Sequence, residues 1–188
     1  CEGEKAMMNA IGIIESSSIA KGYEICDAMA KASVVEILDA QPICPGKFMI
    51  LVGGMVADVQ HAVAAGMEMA GSCMIDHLVI PNIHPQVFEA INATSQIDGV
   101  EAIGIIETYS IAAGVSAADI AVKAADVDLI EVRLSRGMGG KCFVLMTGEV
   151  ADVRSAVSAA CEIVEKDGML AACTVIPSPH EDLKKYLF

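Results

Sequence analysis

The stretch Ala10-Ile11-Gly12-Ile13-Ile14-Glu15 stands again, unchanged, as Ala102-Ile103-Gly104-Ile105-Ile106-Glu107. Further matches follow in the same order. Ile19-Ala20-x-Gly22 returns as Ile111-Ala112-x-Gly114, Lys31-Ala32 as Lys123-Ala124, and Val56-Ala57-Asp58-Val59 as Val150-Ala151-Asp152-Val153. Val79-Ile80-Pro81 returns as Val175-Ile176-Pro177, with His84 and His180 at matching places beyond it. The order never changes and the spacing drifts by only a few residues, so the chain is two copies of one unit. Asn92, Thr94, Ser95, Asp98 and Gly99 make a polar stretch between them. The expected organisation is a tail at 1–9, a first domain at 10–93, a linker at 94–101 and a second domain at 102–188.

Within one copy the pattern alternates between strand and helix. Ile11 to Glu15 is a short apolar run of strand type, with Gly12 marking a close approach of backbone. Ser17 or Ser18 can cap a helix whose apolar positions Ile19, Tyr23, Cys26 and Ala30 recur at helical spacing. Val34 to Leu38 and Phe48 to Val52 read as two more strands. Val56, Val59, Val63, Met67 and Ala70 form one face of a second helix, and Cys73 to Ile80 supplies a last strand stopped by Pro81. Val150, Val153, Val157, Ala160 and Val164 repeat the second helix. The unit is β-α-β-β-α-β, a ferredoxin-like split βαβ of the α/β (α+β) class, with two helices on one face of a four-stranded sheet. Such a fold does not by itself name a function.

Composition narrows the field. A formal net charge of −13 leaves no basic stripe to neutralise phosphates, so nucleic acid is not an expected partner. No run reaches the ~18 apolar residues of a membrane span, and Cys1 to Asn9 has no secretory pattern, which gives the expectation of a cytoplasmic protein. An apolar fraction of 54% against 20% charged residues suggests apolar surface buried between subunits. The seven cysteines form no CxxC pair and none of the close spacings of a zinc site, and most are expected to be reduced thiols. Enzymatic motifs are missing too: there is no GxSxG, P-loop, GxGxxG after a strand, or HExxH. No enzyme is expected.

The repeated Ala-Ile-Gly-Ile-Ile-Glu strand, Asp27-x-x-x-Lys31-Ala32, the Val-x-Asp-Val helix and Ile-Pro-x-x-His together resemble bacterial microcompartment shell domains. The resemblance covers nearly the whole chain, twice, and each copy starts at the strand that opens an unpermuted shell domain. It implies a tandem, non-permuted shell protein whose homotrimer tiles the shell as a pseudo-hexamer beside other shell proteins. Lys31 and Lys123 match the lysines that the family places where tiles meet edge to edge. Shell domains commonly carry an arginine after Ile-Pro, where this chain has Asn82 and Ser178, so the edge contact implied there differs.

The copies differ most between the second and third strands. Copy one has Gln41-Pro42-Ile43-Cys44-Pro45-Gly46-Lys47, and copy two has Leu134-Ser135-Arg136-Gly137-Met138-Gly139-Gly140-Lys141. Pro45-Gly46 favours a tight turn with Cys44 at its tip, and Gly137, Gly139 and Gly140 give the second loop a permissive backbone. In the family these loops line the central pore, which implies Ile43, Pro45, Gly46, Lys47, Arg136, Gly137, Met138 and Gly139 as pore-lining residues. Both loops resemble the tandem type found in propanediol-utilisation compartments. That resemblance implies one [4Fe–4S] cluster per trimer, held on the threefold axis by three Cys44 thiolates, for electron transfer or cluster transport across the shell. A lumenal redox enzyme would then be a partner. Three converging thiolates need a cation to neutralise them, which agrees with a metal. Cys142, beside the second loop, is a lesser candidate ligand. The residues alone leave two other readings open: a shell trimer whose pore passes small metabolites without a metal, and a free ferredoxin-like regulator that binds ligands.

Overall fold

The computed structural model of the chain describes residues 9–135 and 137–187. Arg136 and all of the expected tail but Asn9 lie outside the described residues. Two compact units divide between Ile83 and His84. The first contains β1 (Ala10–Ser16), α1 (Ile19–Ala32), β2 (Glu36–Ile43), β3 (Lys47–Gly54), α2 (Val56–Ala70) and β4 (Met74–Pro81). The second contains α3 (Pro85–Ile91), β5 (Ala102–Thr108), α4 (Ile111–Ala124), β6 (Val127–Leu134), β7 (Cys142–Gly148), α5 (Val150–Lys166), β8 (Leu170–Ile176) and α6 (Glu181–Lys184). Each unit has one antiparallel sheet, ordered β2-β3-β1-β4 in the first and β6-β7-β5-β8 in the second. This is the split βαβ that the alternation of strands and helices predicts.

The quoted hexapeptide is the central strand of both sheets. Alternation sends Ala10, Gly12 and Ile14 to the helix-covered side and Ile11, Ile13 and Glu15 to the other. Ala10 and Ile14 join Ile25, Met29, Phe48, Ile50, Val52, Val59 and Val63 in one buried cluster. A Cβ on Gly12 would lie 2.6 Å from Val63 and 2.8 Å from Val59. A Cβ on Gly104 would meet Val157 at 2.8 Å and Val153 at 2.9 Å. The second helix of each copy therefore rests directly on strand backbone. At the first helix the roles reverse, and a strand side chain rests on helix backbone: a Cβ on Gly22 would fall 2.3 Å from the Phe48 ring, and one on Gly114 would fall 2.2 Å from the Cys142 sulfur. Both first helices start alike, since the Ser18 hydroxyl accepts the Lys21 N–H and the Ser110 hydroxyl accepts the Ala113 N–H.

Three details depart from the sequence reading. The buried face of α1 is Gly22, Ile25 and Met29, while Ile19 and Tyr23, expected on the core face, are 39% and 60% exposed. Strand β2 begins at Glu36, not Val34, and runs on into the loop. Short helices α3 and α6 follow the two Ile-Pro stops, with His84 and His180 as their N-caps. Helix α3 packs on β6 with Val87 and Ala90 fully buried, so the stretch after Ile83 belongs structurally to the second unit.

Gly114→Ala is expected to lower stability by ~1–3 kcal/mol, the usual range for overpacking a core, read as a lower urea midpoint with an unchanged slope. Adding Cys142→Ala should recover part of that loss by vacating the space. Gly99→Ala, where a Cβ meets nothing within 4 Å, is the control and should be nearly neutral.

Candidate functional site: the two hairpin loops

Strands β2 and β3 pair down to Ile43 opposite Lys47, which leaves Cys44, Pro45 and Gly46 to make the turn. The Gly46 N–H donates to the Ile43 carbonyl at 3.0 Å, the Cys44–Pro45 peptide is cis, and Gly46 has φ of +83°. A four-residue turn with cis-proline at its third position is a type VI turn. Cys44 is half-buried at the tip and Pro45 and Gly46 are exposed. The tight turn expected from Pro45-Gly46 is present, although nothing in the sequence specifies its cis form.

The second loop is longer and built from backbone. Gly137, Gly139 and Gly140 have φ of +73°, +63° and +92°, a region open to glycine at little cost. Ser135, also at positive φ and fully buried, donates its hydroxyl to the Lys141 carbonyl at 2.7 Å, and the Lys141 N–H donates to the Met138 carbonyl. Arg136, expected among the pore-lining residues, lies outside the described residues.

At the base of both loops sits an ion pair that sequence reading missed. Lys47 lies 3.6 Å from the Glu15 carboxylate, and Lys141 lies 3.0 Å from that of Glu107. Glu15 and Glu107 end the identical hexapeptide, and each lysine follows a loop glycine. The matching positions in both copies were the available signal, but nothing local in sequence joins residues that meet only through strand pairing. The two pairs differ in burial: the Glu15 side chain is 0% exposed and that of Glu107 is 40% exposed.

The remaining cysteines lie elsewhere. Cys142, the lesser candidate ligand, turns to the helix side of its sheet and is fully buried under Gly114, in the place that Phe48 fills under Gly22. It is a core thiol and not a loop ligand. Burial raises the Cys26 thiol, and the Asp27 carboxylate adds to the rise. Burial also pushes Cys161 up to about 12, helped by a hydrogen bond with Cys173 and by the charges of Cys173 and Glu165. Groups held so far up stay protonated near neutrality and are poor metal ligands. Among the described residues no three His, Cys, Asp or Glu side chains cluster within one chain. Among the described residues Cys44 is the one thiol on either loop.

The two lysines expected at the tile edge are held alike. Lys31 reaches Asp27 and Lys123 reaches Asp119, each at 2.6 Å and one helical turn apart. Asn82, at φ of +55°, and Ser178 are exposed just past the last strand of each copy. On the face of the second sheet away from its helices lies a depression of about 800 Å³, bordered by Ile105, Glu107, Glu131, Arg133, Phe143 and Tyr186. Arg133 bridges to Glu131 and lies 5.1 Å over the Phe143 ring.

Known proteins are similar to this chain. The BMC domain family model matches residues 10–83 and again 102–179. The bacterial microcompartment shell protein PduT of Citrobacter freundii is 48% identical over 94% of this chain and 96% of its own length. The shell protein EutM of Salmonella typhimurium is 38% identical over 46% of this chain, the length of one copy. A crystal structure of a microcompartment protein from Desulfitobacterium hafniense superposes with a TM-score of 0.88 at 49% identity, covering 95% of this chain and 99% of that one.

Brief alkylation of the metal-free, folded protein at neutral pH should label Cys44 and the exposed Cys173 well before Cys142 and Cys161, read by peptide mass spectrometry. Because the Cys161 thiol is raised, its thiolate forms only at higher pH, and its labelling should still be slow at about pH 9. Rapid labelling of Cys142 in folded protein would contradict its placement in the core.

Proposed function

This chain belongs to the BMC domain family and is a structural shell protein of a bacterial microcompartment; from that premise we propose that it is a shell tile carrying a redox centre. The tile is a homotrimer, a pseudo-hexamer of six domains, in which the hairpin loops of three chains meet at the central axis. Cys44 of each chain supplies one thiolate to a single [4Fe–4S] cluster there. The observation that supports this reading is that Cys44 alone, among the described cysteines, lies on a hairpin turn, half-open to solvent and apart from the core thiols.

The residues present fit such a group. The type VI turn fixes Cys44 at a loop tip, and exposed Gly46 puts no side chain beside it. One thiolate per chain is a set that only symmetry completes, with one iron left for another ligand. A cluster of this kind supplies one-electron transfer, with a potential tuned by hydrogen bonds and solvent exposure. The chain's own part is to hold the thiolates and close the axis. Lys47 and Lys141, anchored on Glu15 and Glu107, put cations at the base of both loops. Each lysine is matched by one carboxylate, so the pairs tie down the base of both loops without adding net charge. At the rim, Lys31 and Lys123, with Asn82 and Ser178, would meet neighbouring tiles. Other shell proteins would be partners there, and a lumenal redox enzyme could exchange electrons at the axis. Relatives that are shell proteins support a tile over a free regulator.

Anaerobically purified protein should contain about four irons and four sulfides per trimer, the content of one [4Fe–4S] cluster, and give an EPR signal on reduction. Cys44→Ala should lose both and remain trimeric. An absence of iron under conditions that preserve clusters would favour the metal-free metabolite pore and leave Cys44 a lining residue.

A further inference from the structure

Among the described cysteines, Cys161 and Cys173 meet each other, and the proposed tile uses neither. The fold brings them together across helix and sheet. Cys173 stands opposite Ile106 in the β5–β8 ladder, and opposed residues share a face. That face is the one α5 covers, because Val153 and Val157 rest on Gly104, two residues from Ile106 along the same strand. Cys161 follows Val157 by one helical turn on the same buried stripe, between Ala160 and Val164. The two thiols share a hydrogen bond there, yet no disulfide joins them.

Their surroundings differ. Cys161 is 8% exposed, whereas Cys173 lies on the edge strand β8 and is open to solvent. Burial also holds the Cys161 thiol protonated, so it does not compete with Cys173 for an oxidant. The first copy has no such pair. Met67 stands where Cys161 does and His77 where Cys173 does, so the copies differ at both places together. A single core thiol is a small apolar filler. Two that meet between a helix and an edge strand, one buried and one open, form a dithiol.

We propose that Cys161 and Cys173 are a modification site, a dithiol that a hydroperoxide converts to an intrachain disulfide tying α5 to β8 and stabilising the second unit. With hydrogen peroxide, the Cys173 sulfur attacks first. An S–O bond forms as the O–O bond breaks, giving a sulfenic acid and one water. The Cys161 sulfur then attacks the Cys173 sulfur. The S–S bond forms, the S–O bond breaks, and the hydroxyl leaves with the Cys161 proton as a second water. The two sulfurs together lose two electrons and the peroxide gains them. A thiol reductant reverses the change by exchange, two of its sulfurs ending as a disulfide. The bridge closes the chain between positions 161 and 173, which holds the α5–β8 turn at Gly168. Closure removes conformations from the unfolded chain and so favours the folded one. The site needs neither Cys44 nor a cluster.

The test treats the reduced full chain with hydrogen peroxide and digests it with trypsin in the absence of reductant. Lys166 lies between the two cysteines, so Cys161 falls on the peptide 155–166 and Cys173 on 167–184. Mass spectrometry should find these peptides joined, two hydrogens lighter than their sum, and separate again after dithiothreitol. Oxidised wild type should also unfold at a higher urea concentration than the reduced form. Cys161→Ser should stop at the Cys173 sulfenic acid, trapped by a 1,3-dione, with no rise in the urea midpoint. Wild-type Cys173 that accumulates as sulfenic acid, pairs with a cysteine of another chain, or stays reduced while Cys44 oxidises would overturn the dithiol. A joined pair with an unchanged midpoint would overturn its stabilising role.

Discussion

In both copies a helix lies directly on the backbone of the central strand, and the rest of the structure is arranged around that approach. Gly12 and Gly104 leave room for two valines each from α2 and α5, and any larger residue would collide with them. With the second helix seated there, the first helix can close the remainder of the sheet only by resting on β3 or β7, where Gly22 and Gly114 make the space. Packing at interior density tolerates little adjustment. The hairpins β2–β3 and β6–β7 are therefore held by strands whose inner faces are fully committed, and their loops project from a rigid base.

That rigidity gives Cys44 its meaning. A thiol on a mobile loop could not be held at a fixed point shared with other chains. Here Ile43 and Lys47 close the ladder, the turn hydrogen bond fixes Gly46, and Lys47 is tied down to Glu15. The second loop follows a different principle, replacing side chains with backbone through three glycines at positive φ. A chain with two unlike loops can place three thiols around an axis, where six identical domains would place six.

Much of this is legible in the sequence, because the repeat constrains every reading twice. The alternation of strands and helices, the helix faces built on Val59, Val63, Val153 and Val157, the tight turn at Pro45-Gly46 and the glycine-rich second loop all follow from local pattern. What escapes has a common cause: contacts made across distance. Ile19 and Tyr23 look like core residues because periodicity records an apolar face without saying what covers it. Cys142 looks like a loop residue until strand register turns it toward Gly114. Glu15 and Lys47 carry no mark of their pairing. Helices α3 and α6 are too short to have a period.

In the proposed tile three chains close on one axis and share one centre there. Native mass spectrometry of protein kept anaerobic throughout tests this most directly, since it counts chains and cofactor in one particle. A mass of three chains plus a single [4Fe–4S] cluster, with no partly assembled species holding iron, is the result the account predicts. Iron bound to single chains, or an intact trimer that never carries a cluster, would contradict it.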